Sequence, residues 1–370
     1  MTNSLGLYIH IPFCENKCNY CSFYSFKPNG LQREKYIQAL CTEIKKWGVR
    51  NARPISSIYL GGGTPSLLKE KELYDIFSSI KESFTVTSDC EITCEVNPDS
   101  ADSFLEYAAR IGVNRISVGI QSADDNELKT LGRLHTFDEA RATVFKAKNL
   151  GISNISVDIM LGLPESSEKS LENSLKSILL LKPKHISAYI LKLEEDTVFG
   201  KIESSLNLPS EDEVSEQYLL LCDLLEKSGY NHYEISNFAL DGFESRHNNK
   251  YWLCQEYIGI GPSAHSFLQG NRFYYANSFD DFLEGKEPVF DGIGGDIQEF
   301  IMLRLRLSRG LDFKELETAY SIKLNEKFYK TAAILEKHRL ARVEKNRISL
   351  THKGMLISNS IITKLVECIK

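Results

Sequence analysis

Short β-branched runs alternate with stretches of helical period through the first two-thirds of the chain. Residues 7–11, 57–60, 91–96, 115–120, 154–160 and 185–191 read as strands. Between them the apolar positions switch to a helical repeat. Tyr36, Ile37, Leu40, Ile44 and Trp47 share one face of residues 31–47, and Leu73, Ile76, Phe77, Ile80 and Phe84 do the same in the next segment. Strand and helix alternating six times predict parallel βα units. A closed or partial barrel and a doubly wound open sheet give the same pattern, and both place chemistry beyond the carboxyl ends of the strands. Further on, Leu208-Pro209-Ser210 leads into a helix through Ser228, and Gly292-Ile293-Gly294-Gly295 reads as a linker. Residues 298–307, 313–320 and 326–339 read as helices, followed by strands 341–343 and 347–350 around Glu344-Lys345-Asn346. Three helices and a hairpin resemble a small winged-helix module. The division expected is 1–235 for the βα core, 236–296 for a connecting region and 297–370 for the C-terminal module.

Composition narrows the class. Of 370 residues, 42% are apolar and 25% charged, which excludes a disordered or fibrous chain. No apolar run reaches the roughly 18–20 residues that span a bilayer, and the first thirteen residues hold no Lys or Arg. A cytoplasmic protein without stable membrane insertion is expected. The net charge of −6 is uneven: residues 297–370 carry 15 Lys/Arg against 8 Asp/Glu, a net of +7 that leaves −13 upstream. Lys327, Lys330, Lys337 and Arg339 raise the alternative of a DNA-binding regulator. Glu326 and Glu336 among them instead indicate a solvated helix face, so no nucleic-acid partner is expected. Nine cysteines, an odd count without an export signal, are expected as thiols or metal ligands.

The sharpest chemical signal is Cys14-Glu15-Asn16-Lys17-Cys18-Asn19-Tyr20-Cys21, directly after the first strand. Three thiolates on one short loop reach three corners of an iron–sulfur cube and leave one iron open. Zinc is the weaker alternative, because its structural sites are closed by four ligands and no second close cysteine pair completes this one. Three buried, inert thiols are the plain alternative, disfavoured by their crowding on one loop. Other strand ends agree. Gly61-Gly62-Gly63-Thr64-Pro65 follows the second strand; it is either a tight turn or a backbone cradle for a polar ligand. Glu95 has the opposite parity to Ile92, Cys94 and Val96, so it faces a ligand or solvent. Gln121 ends the fourth strand and Arg133 lies in the loop beyond it. Asp158 sits in the apolar fifth strand, where burial demands a ligand or a structural partner.

The cysteine spacing resembles the radical S-adenosylmethionine (SAM) superfamily. There SAM chelates the open iron of a 4Fe–4S cluster, and the reduced cluster can split it to a 5′-deoxyadenosyl radical. Tyr8 to Cys14, Gly61 to Pro65, Glu95-Val96-Asn97-Pro98, Gly119-Ile120-Gln121-Ser122 and Gly162-Leu163-Pro164 extend the likeness to the oxygen-independent coproporphyrinogen oxidase-like proteins. The resemblance implies a partial parallel (β/α)6-type radical SAM barrel with a helical, winged-helix-like C-terminal domain. Cys14, Cys18 and Cys21 become cluster ligands, and Tyr8, Gly62, Gly63, Thr64, Glu95, Gln121, Arg133 and Asp158 SAM contacts. In the oxidases the last three correspond to contacts with a second SAM. Two features depart from the oxidases: Phe23 stands where their pattern has a fourth cysteine, and thirteen residues precede Cys14 in place of a long N-terminal segment. Both match the HemW-type haem chaperones of the same superfamily. His247-Asn248-Asn249-Lys250-Tyr251-Trp252 resembles that branch's HNxxYW motif, which implies haem contact through His247, Tyr251 and Trp252, with His247 as axial ligand. The alternative is a histidine hydrogen-bonded beside core aromatics. His10 and His265 are weaker candidates, and the other six cysteines are expected as small core residues. The likeness thus implies a chaperone that binds haem and hands it to an acceptor, a respiratory haem protein among the candidates. An electron donor is implied wherever SAM is cleaved. The rival is radical decarboxylation of coproporphyrinogen III.

Overall fold

A computed structural model describes residues 4–369. The six expected strands form as β1 (Leu5–Ile11), β2 (Ile55–Gly62), β3 (Val86–Val96), β4 (Arg115–Gln121), β5 (Asn154–Leu161) and β6 (His185–Ile190). They pair in parallel and in chain order. The crossovers are α1 (Gly30–Arg50), α2 (Glu70–Ser83), α3 (Ala101–Ile111), α4 (Asp125–Thr130), α5 (Phe137–Asn149) and α6 (Glu168–Leu180). Reciprocal capping boxes start several of these: Asn29 with Gln32, Thr136 with Glu139, Ser167 with Ser170. Strand alternation then sorts the faces. Ile116, Val118, Ile120, Ile155 and Val157 pack in one core with the apolar faces of the helices. The opposite parity carries Arg115, Ser117, Gly119 and Gln121 on β4 and Ser156, Asp158 and Met160 on β5. This polar parity is the concave face.

After the short α7 (Val198–Lys201) and the long α8 (Glu211–Lys227), β7 (Asn231–Glu234) and β8 (Asn237–Ala239) extend one edge antiparallel to β6. The chain then makes α9 (Arg246–Trp252) and crosses to the other edge. There β9 (Tyr257–Ile260) lies parallel to β1, followed by β10 (His265–Leu268), β11 (Asn271–Tyr274), α10 (Phe279–Leu283) and β12 (Val289–Ile293). The result is one twelve-stranded sheet in the order β12-β11-β10-β9-β1-β2-β3-β4-β5-β6-β8-β7. Gly292 and Ile293, expected in a linker, instead finish its edge strand, Gly292 opposite Arg272 and Ile293 opposite Asn271. The glycine-rich composition read as flexibility; here it serves the strand end, where Gly292 takes φ +118° and a Cβ on Gly294 would lie 2.9 Å from the Arg272 side chain.

The C-terminal module comprises α11 (Ile297–Leu305), β13 (Leu311–Asp312), α12 (Phe313–Tyr320), α13 (Glu326–Lys337), β14 (Ala341–Glu344), β15 (Arg347–Leu350), α14 (His352–Leu356) and α15 (Ser358–Val366), with the three strands in one small sheet. It docks beside β7 and α9: Ile235 N–H donates to Arg306 O at 2.9 Å, and Arg304 donates to Trp252 O at 3.0 Å. On α13, Lys330 pairs with Glu326 at 2.8 Å and Lys327 donates to Glu367 O at 3.2 Å.

Candidate functional site

The cysteine loop leaves β1 and is fastened at both ends. Cys14 N–H donates to Phe26 O at 3.0 Å and Phe26 N–H returns to Pro12 O at 2.9 Å. Asn16 and Asn19 side chains donate to Gly132 O (3.1 Å) and Thr130 O (2.9 Å), tying the loop to the turn after α4 that carries Arg133. Cys14, Cys18 and Cys21 all line one open cavity of about 370 Å³ beyond the carboxyl ends of β2 to β6, within the roughly 300–1,000 Å³ of a small-molecule site.

The residues expected to contact SAM converge on the same cavity, with one exception. Gly62, Gly63, Thr64, Glu95, Gln121, Arg133 and Asp158 line it. Gly62 takes φ +114°, and a Cβ there would meet the His10 ring at 2.5 Å; one on Gly63 would meet Phe13 O at 2.6 Å. The turn is therefore open to glycine alone, and it holds backbone close to the cavity. Thr64 Oγ1 lies 3.3 Å from Cys14 Sγ and accepts from Asn97 Nδ2 at 3.2 Å. Glu95 accepts from Tyr59 O–H at 2.9 Å and Gly62 N–H at 3.1 Å, yet burial pushes its carboxyl up to about 7. Arg133 donates to Gly119 O (2.7 Å) and Asn97 Oδ1 (3.0 Å) and reaches Cys18 Sγ at 3.5 Å. Gln121 sits at φ +71° on a register shift of β4, a bulge that re-aims the strand end. Asp158 accepts from Ser117 at 3.1 Å, and its carboxyl is raised by burial. Tyr8 lies outside the cavity lining; its hydroxyl contacts His10 Nδ1 at 3.1 Å, and burial raises its pKa.

The sequence reading missed Tyr59, Asn97, Arg115, Ser117, Ser187, Tyr189 and Asn248, which also line the cavity. Five of these, Tyr59, Arg115, Ser117, Ser187 and Tyr189, alternate on β2, β4 and β6 in the parity that the sheet register sets beside Glu95 and Asp158. Arg115 is 2% exposed, and its Nε has no hydrogen-bond partner among the described residues. An unpartnered buried guanidinium nitrogen on the lining fits a polar or anionic ligand. Together with three soft sulfur donors and the glycine cradle, it shows that the residues present fit a thiolate-bound cluster and a zwitterionic nucleoside.

The histidine motif is placed elsewhere. His247 is fully buried at the opposite end of the concave face, its Nδ1 2.9 Å from Ser57 Oγ and its Nε2 2.8 Å from Tyr251 O–H. Its backbone N–H donates to Glu91 at 2.9 Å, and burial lowers the imidazole to about 3. Trp252 packs toward the C-terminal module, with Arg306 6.0 Å above its ring. In this conformation α9 closes the floor of the cavity, and of the motif only Asn248 lines it. The structure therefore does not bring His247, Tyr251 and Trp252 to the cysteines, because both imidazole nitrogens are engaged within the fold. His10 is buried, held by Tyr8 and by Tyr24 O at 2.9 Å; His265 is exposed and stacks on Tyr274 at 5.3 Å. Of the other cysteines, Cys90, Cys94, Cys222 and Cys368 are buried and Cys41 and Cys254 half-buried.

Comparison with known proteins agrees with this geometry. The radical SAM superfamily matches residues 8–178 and the HemN C-terminal domain residues 296–357. Coproporphyrinogen III oxidase (HemN) from Escherichia coli, a radical SAM enzyme, superposes with a TM-score of 0.85 at 22% identity, covering 98% of this chain and 90% of that one. That likeness establishes the fold, and the family's chemistry implies the 4Fe–4S cluster and SAM. The haem chaperone HemW of Lactococcus lactis subsp. lactis (strain IL1403) is 34% identical over 97% of this chain and 96% of its own length. The Bacillus subtilis (strain 168) HemW is 33% identical over 96% and 97%, and that of Escherichia coli (strain K12) 38% over 70% and 69%. With the cluster loop, the glycine cradle and the C-terminal module all inside the matched span, this chain belongs to the HemW family of the radical SAM superfamily.

Proposed function

We propose that this protein is a haem chaperone: it binds haem and hands it to an acceptor protein, on a scaffold that also carries a 4Fe–4S cluster and SAM. The observation that carries this reading is the end-to-end identity with proteins named as haem chaperones, 34% over 97% of the chain. A cluster on Cys14, Cys18 and Cys21 supplies an open iron for SAM and, when reduced by a donor, the electron for cleaving it. Gly62, Gly63, Thr64, Glu95, Gln121, Arg133 and Asp158 are the SAM contacts in this reading, with Tyr8 supporting the cradle through His10. Phe23 is 66% exposed on the lining, in the position of the oxidases' fourth cysteine. It offers the macrocycle an apolar face. Haem ligation by His247, with Tyr251 and Trp252 against the ring, belongs to an opened conformation in which the Tyr251 hydrogen bond is broken. The acceptor class is a respiratory haem protein, met in the cytoplasm.

The oxidase fold supports one other reading, radical decarboxylation of coproporphyrinogen III. An anaerobic assay with reduced, cluster-loaded protein and SAM separates the two. Stoichiometric haem uptake without porphyrinogen turnover is expected; sustained turnover would overturn the chaperone reading.

A further inference from the structure

A second ligand set lies in the seam between the sheet and the C-terminal module. On α8 a spacing of four puts Tyr218, Cys222 and Glu226 on one face. That face meets His232 of β7 and His352, the first residue of α14. One ligand atom each from Cys222, His232 and His352 falls within 4.8 Å of the others. Ligands on a single tetrahedral ion stand about 3.3–3.8 Å apart, so a side-chain adjustment of about an ångström closes the set.

Each ring is already held by its other nitrogen. His232 Nε2 lies 3.4 Å from Ile235 O, while its Nδ1 is buried with no hydrogen-bond partner among the described residues, on a histidine only 7% exposed. The ring is clamped on Phe238 at 4.2 Å. A buried imidazole nitrogen left bare is costly unless something binds it. His352 Nε2 lies 3.1 Å from Glu226 Oε1, the carboxylate–imidazole pairing that orients a metal-bound histidine and leaves Nδ1 for the ion. Cys222 is fully buried. His232, His352 and Glu226 line an open pocket that shares no residue with the cluster cavity.

We propose that Cys222 Sγ, His232 Nδ1 and His352 Nδ1 bind one borderline-soft divalent cation, zinc being the ion their sulfur and nitrogen donors fit. The thiol releases its proton to the solvent on binding. The fourth position opens into the pocket and takes water. The ion joins α8 and β7 to α14, so it pins the C-terminal module to the sheet.

The test uses full-length protein with its cluster reconstituted anaerobically, so that the loop thiols are occupied. It is equilibrated with buffered zinc and analysed for metal. One tightly held zinc per chain is expected in addition to the cluster iron. Glu226→Gln should weaken it by roughly 10- to 100-fold, and His352→Asn by more, with iron and sulfide unchanged in both. Cobalt in place of zinc should show a thiolate charge-transfer band that Cys222→Ser abolishes. Should Cys222→Ser not fold, the half-buried His352→Asn carries the test alone. Absence of bound zinc, or zinc affinity unchanged by His352→Asn, overturns the proposal.

Discussion

Tyr251→Phe removes the hydroxyl 2.8 Å from His247 Nε2 and keeps the aromatic ring. In the closed arrangement His247 is fully buried, so the nitrogen left behind has no water to turn to. An unsatisfied buried polar atom costs about 1–3 kcal/mol. On the proposed opening of α9 water reaches the nitrogen, so the penalty falls on the closed arrangement alone. The open population therefore rises by roughly 5- to 150-fold. A ligand that needs the open form gains apparent affinity by that factor while the open form stays minor. The assay is an anaerobic haem titration of cluster-loaded protein followed by the Soret band, with a urea midpoint on the same sample. Tighter haem binding together with a lower midpoint is the expected outcome, and adding His247→Ala should abolish the gain. If the midpoint falls while haem affinity stays within about twofold, His247 is a structural histidine and the axial ligand lies elsewhere.

Cys18→Ser should leave the protein without an intact cluster; a normal iron and sulfide content in that variant would refute the ligand assignment. Gly63→Ala forces a methyl to 2.6 Å from Phe13 O and 2.9 Å from Ile11 O, both backbone, so calorimetry should show loss of SAM affinity by an order of magnitude or more. Glu95 gives a pH signature. Its folded pKa of about 7 lies above the 4.5 of an unperturbed glutamate, so between those values the native state holds a proton that the unfolded chain has lost. Stability from this group therefore falls as pH rises through that window, by on the order of 3 kcal/mol. Glu95→Gln should remove that decline, seen as a smaller difference between urea melts at pH 5 and pH 8. Glu234, also raised to about 7 by burial, keeps a comparable slope, and an unchanged difference would mean Glu95 titrates normally.

The core was legible because local rules and tertiary outcome coincide there. All six strands appear within a few residues of their expected bounds, and the face Tyr36-Ile37-Leu40-Ile44-Trp47 of α1 is buried as its period requires. Ser210 caps α8 as the Pro209-Ser210 pair indicated. The region after Ser236 was less legible. Strands of three to five residues carry too few alternations to be told from loops, and β9 finds its partner in β1 some 250 residues earlier. The glycines around Gly292 read locally as a linker, yet pairing with β11 makes them part of a strand end.

The sequence by itself determined the chemistry: three thiols on one loop, a glycine cradle and a carboxylate at successive strand ends, because parallel βα units deliver every strand terminus to one face. Only the tertiary structure decided which side chains share that face with them. Arg115 looked like an ordinary strand residue until the sheet's curvature enclosed it on the cavity lining. His247 looked like a free ligand until Ser57 and Tyr251, one of them 190 residues distant, took both its nitrogens. A motif lists donors and acceptors, but what each one is free to bind depends on partners that arrive from elsewhere in the chain.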